Sequence, residues 1–230
     1  MKTIYSLLCQ SHRIEKVVIS IPIKYKRFEE KVNVNDILKI HEKVEVQELD
    51  TDYGCATKFY GALKYFHSLS KEEQKDLSII ICDDDLIYDL ELVKSYNEKL
   101  TNEKIIYTFF RVEHYIQTDF KKIPHLQGAD TYLIPNHFLK NYTEVDFKYF
   151  LEKILDECED AFYNDDYTIS FFVNVLCNYD IRNIASRYIK GMVYKESEQI
   201  LELHRDSRVN VRTKNTINYL KKLLDTNYID

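Results

Sequence analysis

Three consecutive aspartates, Asp83, Asp84 and Asp85, are the residues of this chain whose type and spacing point most directly to chemistry. Adjacent carboxylates repel one another, so holding three at the edge of a core costs stability unless a cation or hydrogen-bond donors compensate. Hard divalent ions such as Mg2+ and Mn2+ take oxygen ligands and commonly combine one or two carboxylates with substrate phosphates. An Asp83-x-Asp85 pair bridging through a metal to a diphosphate fits that chemistry. The plainer alternative is that the triplet caps a helix expected from Tyr88 to Leu100, because Asp is favoured at N-caps and in first turns. One aspartate would suffice for that.

The elements that must position the triplet follow from hydrophobic pattern. Leu77 to Cys82 is an uninterrupted apolar run, as expected of a strand buried on both faces of a mostly parallel sheet, and in open α/β sheets ligands bind beyond the carboxyl ends of such strands. Val17 to Pro22 and Val44 to Leu49 also read as strands. Phe59, Ala62, Leu63 and Phe66 recur at helical spacing after Asp52 and Gly54, which gives a strand, loop and helix unit. A further strand is expected over Lys104 to Phe110, so the first half alternates β and α like a doubly wound sheet. In the second half Phe138 to Leu155, Tyr167 to Asn178 and Val209 to Leu224 carry helical periodicity, and Thr131 to Pro135 is a short strand. The fold class expected is α/β: a mixed, mostly parallel, Rossmann-related sheet flanked by helices, with a helix-rich C-terminal part.

Length and composition bound the reading. With 230 residues, 45% of them apolar, the chain can bury one substantial core. Only four glycines and three prolines occur, so no linker or low-complexity stretch divides it. One domain is expected. The net charge of -6 argues against a surface for nucleic acid. Five scattered cysteines without a Cys-x-x-Cys pair read as reduced thiols. No apolar run approaches the roughly 20 residues that cross a bilayer, and no signal pattern opens the chain. A cytoplasmic protein without a transmembrane segment is expected.

Taken in order, Val18-Ile19-Ser20-Ile21-Pro22, Lys24 to Phe28, Asp52-Tyr53-Gly54-Cys55-Ala56-Thr57-Lys58, Gly61-Ala62-Leu63 and Ile80 to Asp85 with Tyr88 resemble a family of GT-A-type glycosyltransferases found in large DNA viruses and bacteria. The resemblance covers most of the chain and is strongest from Val17 to Tyr88. It implies a nucleotide-sugar-binding half over residues 1–110 and an acceptor-side half over 111–230 of a single domain. The donor implied is a nucleotide diphosphate sugar, a UDP-sugar by preference, the acceptor a glycan or other hydroxyl compound, and the metal Mn2+ or Mg2+; for a viral chain the compartment would be the host cytoplasm.

By the same resemblance Asp85 binds the metal directly, Asp83 contacts the metal or the donor's ribose and sugar, and Asp84 assists. Thr57 and Lys58 meet the nucleotide or diphosphate, and Tyr53 stacks near the base. Arg27, beside Phe28, stands between phosphate contact and surface charge. Gly128, in Gly128-Ala129-Asp130, lines the donor-sugar pocket and admits close backbone approach. Asp165 and Asp166 face the acceptor, where a carboxylate of an inverting enzyme takes the hydroxyl proton; capping of the next helix is the competing role. His204 falls where many such enzymes place a histidine on the metal or diphosphate, and Arg205 and Arg208 can neutralise the leaving diphosphate.

Two departures from the family pattern stand out. Cys55 occupies a usual proline position, and Met1 to Gln10 reads as a helix where an opening strand is usual. The second departure supports a competing reading, a glycosyltransferase-like module that binds without catalysis. A nucleotidyltransferase or phosphatase is disfavoured, because neither a Gly-rich loop before Lys-Ser or Lys-Thr nor an Asp-x-Asp-x-Thr strand occurs.

Overall fold

The computed structural model describes residues 2–26, 34–109, 115–117, 122–128, 131–184, 193–195 and 207–225. The chain is a mixed α/β protein. Its opening segment is a helix, α1 (Lys2–Leu8), followed by β1 (Val17–Pro22), α2 (Val34–Leu38) and β2 (Val44–Leu49). β1 and β2 pair in parallel, Val17 opposite Val44 through Pro22 opposite Leu49. Between β2 and α3 (Thr57–Ser68) lies a single 3-10 turn, Gly54–Ala56. The Asp52 carboxylate closes that turn by accepting from the Gly54 and Lys26 amides at 2.8 Å each. Gly54 has φ +63°, and a Cβ there would collide with the Phe162 carbonyl, so this position requires glycine on two counts. The loop that carries Cys55 is thus fixed by Asp52 and Gly54.

The central sheet takes β3 (Ile79–Ile81), β5 (Ile105–Thr108), β8 (Tyr132–Ile134) and β9 (Asp180–Asn183) in the order β3-β8-β5-β9. β8 runs antiparallel to both β3 and β5, while β9 is parallel to β5. The expectation of a mostly parallel sheet therefore needs correction. Among the described residues parallel pairing is confined to β1–β2 and β5–β9, because β8 returns between two parallel neighbours from the opposite end. β3 is also only partly buried, not closed on both faces. Outside this sheet, β4 (Leu86–Tyr88) pairs antiparallel with β10 (Val193–Lys195), and β6 (Tyr115–Gln117) with β7 (Lys122–Pro124).

The main core forms where α3 lies against the helical second half. Phe59, Leu63 and Phe66 of α3 are fully buried, on the face that the spacing predicts. Phe59 meets Phe147 edge-to-face at a ring distance of 4.7 Å and Phe138 and Phe172 at 6.2 Å. The helix expected from Phe138 to Leu155 is instead two, α5 (Asn136–Asn141) and α6 (Glu144–Glu157). Tyr142 is extended, and Thr143 starts α6 with a capping box: its hydroxyl accepts from the Asp146 amide while Asp146 accepts from the Thr143 amide. The stretch expected from Tyr167 to Asn178 is α7 (Asp165–Phe171) running into one π-turn, Phe172–Leu176. The C-terminal helix, α8 (Ser207–Asp225), matches its expected span closely. Among the described residues no helix is long and apolar enough to cross a membrane, and all five cysteines are free thiols.

Candidate active site

The acidic triplet leaves the carboxyl end of β3 but does not cap a helix. Leu86–Tyr88 forms β4, and the next helix, α4 (Leu92–Asn97), begins nine residues after Asp83. Two bonds shape the triplet's backbone: the Tyr88 hydroxyl accepts from the Asp83 amide (2.9 Å) and donates to the Asp83 carbonyl (3.0 Å). Thr3 of α1 donates to the Asp84 carbonyl at 2.8 Å, so α1 serves as a brace for this loop. Asp84 and Asp85 face solvent, and Asp83 is half-buried. Partial burial, with the charges of Asp83 and Asp84, raises the Asp85 carboxyl above the usual carboxylate range.

Asp83 is turned towards Lys58, in the first turn of α3. Lys58 Nζ lies 2.6 Å from Asp83 Oδ1 and 3.0 Å from Asp165 Oδ2. Burial alone would lower the lysine pKa, but Asp165, Asp83 and Asp166 together raise it well above its usual value. The ammonium is therefore permanently charged and clamped by carboxylates from two distant parts of the chain. Asp165 is the most enclosed member, its side chain 9% exposed. Burial, opposed by Lys58 and reinforced by Asp166, pushes its carboxyl up to about 6.

Neither Asp165 nor Asp166 caps α7 through its side chain. Asn164 is the N-cap residue and makes no side-chain cap; its side-chain Nδ2 donates to the Asp160 carbonyl and its side-chain oxygen accepts from Thr213 at 2.8 Å. Both aspartates fall in the first turn of α7, where the helix dipole favours negative charge. Asp166 Oδ1 accepts from the Gly128 amide at 3.2 Å. Gly128 itself packs against the ion pair: a Cβ there would overlap Lys58 Nζ and stand 2.6 Å from Asp83 Oδ1. Thr131, just before β8, holds a left-handed backbone (φ 59°), unusual for a β-branched residue. Its carbonyl accepts from Thr108, and its hydroxyl bonds the Tyr96 hydroxyl at 2.7 Å. Such strain persists only where surroundings over-determine it, and it clusters at functional sites.

Lys58, Asp83, Gly128, Asp165 and Asp166 thus come together at one corner. Asp84 and Asp85 lie on its solvent side. Two expected residues do not join it. Tyr53 is 2% exposed, so its ring has no face for a base; it meets Tyr60 edge-to-face at 5.0 Å and donates to Glu152 at 2.9 Å. Thr57 is buried, and its hydroxyl accepts from the Tyr53 amide at 3.0 Å, closing the entry to α3 instead of meeting a nucleotide. Both placements have one cause: the 3-10 turn directs the start of α3 inward, while the Lys58 side chain turns to Asp83 and Asp165. Arg27, His204 and Arg205 lie outside the described residues, as do Ala129 and Asp130, and the side chain of Arg208 is likewise not described.

The pattern alone did not single out three neighbours. His125, buried and stacked on Tyr167 (4.4 Å between rings), has Nε2 3.7 Å from Asp166 Oδ2. Tyr132, fully buried in β8, senses the charges of Lys58, Asp165, Asp166 and Asp83, and its hydroxyl has no hydrogen-bond partner among the described residues. Ser170 ties the two segments together, accepting from the Leu126 amide (2.7 Å) and donating to the Asp166 carbonyl (2.5 Å).

The donor chemistry of this corner suits a hard cation, since carboxylate oxygens dominate and Asp83, Asp84 and Asp85 repel one another. Asp83, whose Oδ1 is ion-paired to Lys58, and the exposed Asp85 would be its ligands. Among the described residues no group of three His, Cys, Asp or Glu side chains could hold a metal ion, so substrate oxygens would have to complete the coordination. The chain matches no protein-family model and no curated protein.

Proposed function

We propose that the chain is a metal-dependent glycosyltransferase that moves a sugar from a nucleotide diphosphate sugar, a UDP-sugar by preference, to a hydroxyl acceptor. The observation that carries this reading is the convergence of Lys58, Asp83, Gly128, Asp165 and Asp166, from four separate segments, beyond the carboxyl end of β3. An anionic diphosphate would be met by the Lys58 ammonium and by Mg2+ or Mn2+ held by Asp83 and Asp85. When bound, that ion supplies charge stabilisation on the departing diphosphate. Gly128 lets its backbone close on the ion pair, where a side chain would overlap Lys58 and Asp83. Asp165 holds Lys58, and Asp166 is left more open, its side chain 27% exposed.

The test is calorimetric titration of the chain with nucleotide diphosphates and nucleotide sugars, in Mn2+ and in chelator, with release of free nucleotide followed in parallel. Metal-dependent binding and turnover of one donor, with binding lost in Asp85→Ala, are expected. Binding without turnover would favour the non-catalytic module, and unchanged binding in Asp85→Ala would remove the triplet from the site.

A further inference from the structure

Lys58 is shared unequally between the two carboxylates that hold it. Its ammonium donates a hydrogen bond to Asp83 Oδ1 at 2.6 Å. Asp165 Oδ2 stands 3.0 Å from the same nitrogen, yet among the described residues it accepts no hydrogen bond, and it has no accessible surface. The Tyr132 hydroxyl, buried and close enough to sense the Lys58 charge, is likewise without a partner among the described residues. Buried acceptors left unmatched are costly, and an ammonium has three N–H groups to offer. Lys58 nevertheless spends its hydrogen bond on Asp83, whose side chain is 28% exposed.

Asp83 is also the carboxylate that a hard cation would share with Asp85. An ammonium and a divalent ion on one carboxylate would stand about 5 Å apart and repel each other. The ammonium thus takes the place on Asp83 that an ion would need, and its charge offsets the repulsion within the acidic triplet.

We propose, resting on the metal-dependent reading above, that Lys58 is an internal cation that holds Asp83 until donor binds and is then exchanged there for the divalent ion. Lys58 gives up Asp83 Oδ1 and turns to Asp165 Oδ2 and the donor's diphosphate, and Asp83 is left to serve the ion with Asp85. Asp165 is the anchor that keeps the displaced ammonium in the site. The ion and the nucleoside diphosphate both favour the arrangement in which Lys58 has left Asp83, so each strengthens the other's binding by the same factor.

The experiment uses the full chain with Mn2+ alone, the free ion being counted by electron paramagnetic resonance, and then with UDP added. Lys58→Met is expected to bind Mn2+ about 10-fold more tightly than the wild type, to bind UDP about 10-fold more weakly without metal, and to lose a similar factor of the coupling between them. Lys58→Gln repeats the test should Lys58→Met not fold. Removing a positive charge favours any cation nearby, so a second readout follows the ammonium itself in the wild type. In nitrogen-15 spectra of lysine-labelled chain, the Lys58 Nζ signal, identified by its loss in the variant, is expected to move on saturation with Mg2+ towards its position in Asp83→Ala. Equal or weaker Mn2+ binding by the Lys58 variant, or an Nζ signal that stays in place while Mg2+ binds, overturns the exchange and leaves the metal-dependent reading standing. If neither chain binds Mn2+, with or without UDP, that reading falls and the exchange with it.

Discussion

The two sides of the first turn of α3 are built on opposite principles. On its core side, Phe59 is surrounded by Phe138, Phe147, Phe172 and Tyr132. On its charged side, Lys58 depends on two particular oxygens, Asp83 Oδ1 and Asp165 Oδ2. Dispersion and burial are summed over many atoms, so the aromatic side sets stability. Charge and hydrogen-bond geometry are set by single atoms, so the charged side sets what can bind. Mutations at adjacent positions 58 and 59 should therefore separate these two properties.

The largest expected effect is on the aromatic side: Phe59→Ala should cost about 4 kcal/mol, the usual size for a fully buried Phe, read as a fall in denaturation midpoint at unchanged slope. Lys58→Met should cost about 2 to 3 kcal/mol at pH 7, below the full value for a buried pair because the side chain is 23% exposed. The loss should shrink at pH 5, where Asp165, with its carboxyl raised to about 6, is protonated. Gly128→Ala should cost only about 1 kcal/mol, since the overlapping atoms end flexible side chains, yet it must move Lys58 and Asp83 and so abolish donor binding in the same titration. The smallest effect belongs to Asp165→Asn. A carboxyl raised by folding favours the native state below its ordinary range and loses that advantage as pH rises towards about 6. The variant should therefore gain on the wild type between pH 4 and pH 6, measured as the difference in melting temperature.

The same contrast separates what could be read from the sequence from what could not. The face of α3, the strands β1, β2 and β8 and the helix α8 follow from spacing alone, because hydrophobic period reports which side of an element is buried. Period does not report partners. It could not show that β8 pairs antiparallel between β3 and β5, or that a strand, β4, separates the triplet from α4. The Thr143-x-x-Asp146 capping box was legible and would have divided α5 from α6. At the site, Lys58, Asp83, Gly128, Asp165 and Asp166, chosen by residue type and order, lie together, while Tyr53 and Thr57 lie apart from them because one turn decides whether a residue at a helix entry points in or out. His125 carried no pattern of its own; only its approach to Asp166 gives it meaning.

The position of β8 has a consequence for dissection of the molecule. Residues 132–134 belong to the later half of the chain but fill the gap between β3 and β5 of the earlier half, and α6 and α7 cover the aromatic face of α3. A fragment ending near residue 110 would expose an unpaired β3, an unpaired edge of β5 and the bare rings of α3. The two pieces cannot act as exchangeable modules, and recombination with a relative's counterpart would have to preserve this shared seam, which also carries Gly128 to Lys58.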